Sequence, residues 1–139
     1  MSITRKPQLI KHQHHHQEHA VTLWLQVDAD IEDFKGHFAQ FPLLPGVTQI
    51  DWAIFYAQQF LQAPAHFQGM EVIKFQEPIL KNSLVTLNLT WHRDKQKLYF
   101  HYYSQPQDRS QQERSQHDHS QQQDETRTHS SGRILLGES

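Results

Sequence analysis

Apolar and polar residues alternate along the segment 19–28. Its apolar positions lie on one side of an extended chain, namely Val21, Leu23, Leu25 and Val27. Side chains of a β-strand point alternately to opposite faces, so this pattern predicts a strand with one buried face. Several acidic residues follow directly and predict a turn that ends the strand.

A different spacing begins at Pro45 and Gly46, which stand directly before an apolar run. A proline and a glycine in this position are typical of a helix start. Apolar residues then recur at steps of three and four, namely Val47, Ile50, Ile54, Ala57 and Leu61. The pattern predicts an amphipathic helix that the rest of the chain encloses and that Pro64 stops. Asp51 is predicted to lie on the flank of its buried face.

The alternating pattern returns after the helix. It predicts four further strands, over 70–75, 84–91, 98–103 and 128–136. The segment 104–127 is built mainly from Gln, Ser, Asp, Glu, Arg and His, so it is predicted to be a disordered, overlong hairpin loop. Such a loop is tolerated because its closure entropy grows only with the logarithm of its length.

One helix with a run of antiparallel strands is an α+β arrangement. The simplest way to enclose the helix is to wrap one antiparallel sheet around it. A single sheet cannot cover every side of a helix, so a second copy of the chain is expected on the uncovered side. The length of 139 residues indicates one domain, predicted over 19–139, after a polar, His/Gln-rich segment over 1–18.

Composition narrows the possible functions. A formal net charge of −2 argues against nucleic-acid binding, and the absence of cysteine excludes disulfides and thiolate metal sites. The chain has neither an apolar run long enough to cross a membrane nor the apolar core of a secretory signal, so a cytoplasmic protein is expected. The tract containing His12, His14, His15 and His16 lacks fixed ligand geometry, and no metal site is predicted there.

The strongest functional signal lies between residues 36 and 51. It consists of Gly36-His37-Phe38, Pro42, the run Leu44-Pro45-Gly46-Val47, and Asp51. This pattern closely resembles that of the β-hydroxyacyl-[acyl carrier protein] dehydratases of bacterial fatty-acid synthesis. Those proteins have the hot-dog fold and are obligate dimers or larger. The sequence from Leu43 to Ala53 looks most like that of the dehydratases of aryl-polyene-type gene clusters.

The residue types suit the removal of water from a 3-hydroxyacyl thioester. A neutral imidazole, such as that of His37, can take a proton from C2 near neutral pH. A carboxyl group whose pKa is raised by burial, as expected for Asp51, can protonate the departing hydroxyl group. Backbone N–H groups at the helix start, with Gly46 as the candidate, can stabilise the developing enolate oxygen.

The resemblance implies further properties. His37 of one subunit would face Asp51 of the other, in a homodimer or a higher even oligomer. The acyl chain, delivered by an acyl carrier protein, would run past Phe38, Pro45, Trp52 and Phe55. No cofactor or metal is implied.

Two departures from the family pattern leave alternatives open. Phe55 stands where well-studied members have a glutamine, and Lys81-Asn82-Ser83 replaces a Pro-Gly-Asp turn. A thioesterase of the same fold would not need the Gly-His-Phe turn. A non-catalytic acyl-binding module would be compatible with Phe55.

Overall fold

The structure, a computed structural model, describes residues 5–31, 34, 43–105 and 126–138. The Gly-His-Phe motif and most of the segment 104–127 lie outside these residues. The described chain forms six strands, one α-helix and a short 3₁₀ turn at His16–Glu18. The strands are β1 (Gln8–His15), β2 (Ala20–Val27), β3 (His66–Phe75), β4 (Ser83–His92), β5 (Lys97–Ser104) and β6 (Arg127–Gly137), and the helix α1 spans Gly46–Leu61.

The six strands form one antiparallel sheet in the order β1-β2-β4-β5-β6-β3. Its two edges are therefore β1 and β3. The helix packs against the inner face of the sheet, mainly against β2, β4 and β5. This confirms the predicted α+β architecture, in which one antiparallel sheet wraps around one long helix.

The core fills the space between the sheet and the helix. Its strand residues alternate as the sequence predicts, with fully buried side chains at Val21, Leu23, Leu25, Val27, Val85, Leu87, Leu89, Leu98, Tyr102, Ile134 and Leu136. Burial of this much apolar surface is the main favourable contribution to folding. A turn over residues 93–96 joins β4 to β5.

The helix is rotated relative to the prediction. Val47 is 74% exposed and Asp51 is also exposed, whereas Ala53, Tyr56 and Ala57 are buried. The expectation of a buried Val47 and a buried Asp51 is therefore wrong for the single chain. The inward face carries the large aromatic side chains of Trp52 and Tyr56 beside the small Ala53 and Ala57. Turning this face inward removes more apolar surface from water than burial of Val47 would.

The sheet also begins earlier than predicted, because residues 8–15 form β1 and pair with β2. The side chains of His12 and His14 pack against Phe60, with ring centroids 4.6 and 5.8 Å away. Since histidines occupy these positions, β1 lacks the alternation of apolar residues that predicts β2 from the sequence.

A bulge interrupts the pairing of β3 with β6, where Val72 and Ile73 both lie opposite Gly132. Val72 has a φ of 50°, which is unusual for a β-branched residue. A Cβ atom at Gly132 would lie 2.4 Å from Cδ1 and 3.1 Å from Cα of Ile73, so a larger residue there would displace the Ile73 side chain and crowd its backbone.

The observed helix rotation predicts unequal costs for the same added bulk on its two faces. Ala53→Leu should lower the free energy of unfolding by about 1–3 kcal/mol, because the core around it has no room. Gln59→Leu, at an exposed position of the same helix, is the matched control and should change it by less than about 0.5 kcal/mol. Urea titrations of both variants measure the difference, and equal costs would contradict this orientation of the helix.

Candidate active site at the start of the helix

The helix begins at Gly46, as predicted, and Pro45 occupies the N-cap position. The N–H groups of Thr48 and Gln49 donate to the carbonyl of Pro45, at 3.1 and 3.2 Å. Proline has no side-chain acceptor, so the N-cap residue leaves the N–H groups of Gly46 and Val47 without a side-chain cap. The positive end of the helix dipole adds to these donors, and the helix start can therefore stabilise negative charge.

The ring of Phe75 packs over the backbone of Gly46. A Cβ atom at this position would lie 2.6 Å from Cζ of Phe75, so any other residue would push the ring aside. Phe75 is half exposed at the edge strand β3. The edge strand β3 therefore lies beside the helix start.

A buried polar network fixes the helix start to the sheet. The side chain of Gln49 is buried, with Nε2 donating to the carbonyl of Leu44 at 3.2 Å. Its Oε1 accepts a hydrogen bond from the Ser130 hydroxyl at 2.6 Å, and the Tyr102 hydroxyl donates to the Gln49 carbonyl at 2.7 Å. Because each buried polar group here has a partner, the network orients the helix start with little freedom.

Asp51 lies on the outer side of the helix, little more than one turn after Gly46. Burial raises the pKa of Tyr102 well above its ordinary value, and the nearby Tyr56 and the carboxylate of Asp51 add smaller contributions. The negative charge of Asp51 is thus close enough to act on the buried hydroxyl that holds Gln49. Asp51 itself faces outward from the chain, where a ligand or a second subunit can reach it.

The residues predicted to line a substrate tunnel differ from one another in their position and exposure. Phe55 is 39% exposed and lies one turn beyond Asp51 on the same side of the helix. Pro45 is half-buried at the helix start. Trp52 is only 1% exposed and belongs to the core, and its indole N–H donates to the carbonyl of Arg5 at 3.0 Å. His37 and Phe38 lie outside the described residues.

The uncovered side of the helix is bordered by exposed apolar side chains. They belong to the helix and to the edge strand β3, namely Val47, Phe55, Phe67, Met70 and Phe75. An apolar patch of this kind on a small domain marks an interaction surface. Asp51 lies between Val47 and Phe55 on the exposed side of the helix.

His129, which no motif or periodic pattern in the sequence indicates, is buried close to the same network. Its Nδ1 lies 2.9 Å from the carbonyl of Glu77 and must carry the proton, so Nε2 accepts a hydrogen bond from the Ser104 hydroxyl at 2.7 Å. The histidine lies at an irregularity in the pairing of β5 with β6. No periodic signal identifies such a position, because the irregularity itself turns the side chain inward.

Within the described ranges, no group of three or more His, Asp or Glu side chains has the geometry to hold a metal ion. No helix in the same part of the chain is long and apolar enough to cross a membrane.

Comparison with known proteins identifies a family for most of the chain. The sequence profile of the ApeI-like family, described as ApeI dehydratase, matches residues 12–115. No functionally curated protein matches this sequence.

Two solved structures are similar to most of the chain. The dehydratase heterocomplex ApeI:P from Xenorhabdus doucetiae is 32% identical, with a TM-score of 0.70 over 94% of this chain and 96% of that one. An uncharacterised protein from Erwinia carotovora subsp. atroseptica is 41% identical, with a TM-score of 0.66 over 86% and 83% of the two chains. The N-terminal dehydratase from the difficidin assembly line shares the fold at 15% identity, with a TM-score of 0.54 over 86% of this chain and 39% of that one.

The histidines predict how the stability of the fold depends on pH. Burial lowers the pKa of His129 below its ordinary value of 6.5, although its bond to Glu77 opposes the shift. A lowered pKa means that the unfolded chain binds the proton more readily than the folded chain. The free energy of unfolding should therefore be fully maintained above pH 6.5 and fall as the pH drops below that value.

Replacing His129 by glutamine removes this contribution. The variant should lose stability less steeply than the parent protein between neutral and mildly acidic pH, whatever its absolute stability. Burial also lowers the pKa of His101, so part of the slope should remain. Urea midpoints at a series of pH values measure both slopes, and identical slopes would show that His129 titrates normally in the fold.

Proposed function

This chain belongs to the ApeI-like dehydratase family, and from that premise we propose that it converts a 3-hydroxyacyl thioester into the trans-2-enoyl thioester. The single observation that carries the proposal is the placement of Asp51 on the uncovered side of the helix, just beyond the N–H groups that Pro45 leaves without a side-chain cap. The substrate is carried by an acyl carrier protein, and the reaction serves fatty-acid or polyene-type lipid synthesis in the cytoplasm.

In the proposed reaction His37 takes the proton from C2, and the electron pair moves onto the thioester carbonyl oxygen. The N–H of Gly46 and the helix dipole stabilise this oxygen, because the donors are fixed before the charge develops. As the carbonyl re-forms, the C2–C3 double bond forms and the C3–O bond breaks. Asp51 supplies the proton with which the hydroxyl group leaves as water.

We further propose that the active unit is a pair of chains. The outer edge of β3 has no strand beside it in the described chain, and the exposed apolar patch continues from this edge onto the helix. An unpaired, apolar edge favours association. A second copy related by a two-fold axis would cover the patch and bring its own Gly-His-Phe motif to Asp51 of the first copy. The assembly of ApeI:P as a heterocomplex supports pairing between chains of this kind.

The proposed roles predict the effect of two substitutions. His37→Ala and Asp51→Asn should each lower kcat by about 10²–10⁴-fold, since each removes one proton-transfer group. Asp94→Asn, which neutralises an exposed carboxylate in the turn after β4, is the control and should leave kcat unchanged. The absorbance of the conjugated enoyl thioester measures the rate. Wild-type rates in both variants would remove the assigned chemistry, and release of free thiol without enoyl product would identify a thioesterase.

A mixing experiment tests whether each site is shared between two chains. If His37 of one chain serves Asp51 of another, refolding the two inactive variants together in equal amounts should restore about a quarter of the parent activity. Half of the dimers would then be mixed, and each mixed dimer would contain one intact site. Size-exclusion chromatography with light scattering checks that dimers form. Dimers without recovered activity would place both residues of a site in one chain.

A further inference from the structure

The residues before β1 cross the helix next to the candidate active site. Residues 5–7, here called the N-terminal strap, are held by the bond from the Trp52 indole N–H to the Arg5 carbonyl, 3.0 Å long. The ammonium group of Lys6 lies over the ring of Phe55, 4.6 Å from its centroid. Pro7 is buried and leads into β1. The strap is therefore fixed to the helix at two neighbouring positions.

The contact with Lys6 occurs where the apolar part of the helix surface ends. Val47, Asp51 and Phe55 follow one another at intervals of one turn along the uncovered side, and Phe55 lies about 6 Å beyond Asp51 along the axis. The next positions on this side are glutamines, namely Gln58, Gln59 and Gln62. An acyl chain that passed Phe55 would meet an ammonium group and amides, which lose hydration when they are covered by hydrocarbon.

The proposed chemistry fixes the direction in which an acyl chain must run. The thioester carbonyl lies at Gly46 and the C3 hydroxyl lies at Asp51, so the carbons beyond C3 continue towards the C-terminal end of the helix. The first side chain that they reach on the uncovered side is Phe55. The aromatic ring and the cation held above it thus stand in the path of the chain.

We propose that Phe55 and Lys6 close the far end of the acyl groove and set the length of the chain that the enzyme accepts. This inference rests on the proposed function, because it uses the positions assigned to the carbonyl and the hydroxyl. Phe55 provides the apolar surface against which the chain ends, and Lys6 keeps the ring in place and excludes longer hydrocarbon. Trp52 is a positioning residue, since it holds the strap through Arg5.

The test compares kcat/KM over a series of 3-hydroxyacyl thioesters of increasing chain length. In Phe55→Ala, the ratio of kcat/KM for long chains to that for short chains should rise by about tenfold or more, mainly through KM. Lys6→Gln should move the ratio in the same direction by a smaller factor. Lys95→Gln, which removes a charge from the exposed turn after β4, is the matched control and should leave the ratio as it is in the parent.

Binding measurements separate a failure of this inference from a failure of the proposed function. The dissociation constants of 3-hydroxyacyl-pantetheine thioesters, followed by tryptophan fluorescence, report the groove without turnover. One outcome is that Phe55→Ala shifts the dissociation constants in favour of long chains although no substrate is dehydrated. In that case the inferred groove is confirmed and the proposed dehydration is wrong. An unchanged preference for chain length in both Phe55→Ala and Lys6→Gln overturns the inference, whether or not dehydration occurs.

Discussion

The fold depends on one geometric constraint, which is that a single sheet encloses only part of the helix it surrounds. The six strands curl around α1 and end at β1 on one side and β3 on the other. Between these edges a strip of helix stays uncovered, and Asp51 lies on it. A carboxylate at this place avoids the cost of burial in the core and remains within reach of a second chain.

The polar network around Gln49 explains how an exposed strip can still carry a precise site. Gln49 lies on the opposite side of the helix from Asp51, and its side chain is bound to the Ser130 hydroxyl and the Leu44 carbonyl. The Tyr102 hydroxyl holds the backbone of the same residue. The inner face of the first helical turn is thus fixed to β5 and β6, which determines the direction of the N–H groups on its outer face.

The N-terminal region contributes more than its composition indicates. The rings of His14 and His16 are stacked at 5.0 Å, and His12 and His14 pack on Phe60. Desolvation and the neighbouring His16, His12 and His15 lower the pKa of His14, so the neutral form is favoured in the fold. The neutral imidazole of His14 can replace an apolar side chain at the edge of the core, which helps a polar tract to form β1.

The sequence by itself determined the strands with apolar alternation, the helix start at Pro45-Gly46 and the motif around Asp51, because these depend on local spacing. Only the tertiary structure decided which face of the helix turned inward, since the face with Trp52, Ala53 and Tyr56 packs against the sheet and leaves Val47 exposed. It also decided that Trp52 lies in the core and that β1 forms, through contacts with Arg5 and Phe60 that are distant in sequence. Such contacts leave no periodic signal, because packing rather than local preference creates them.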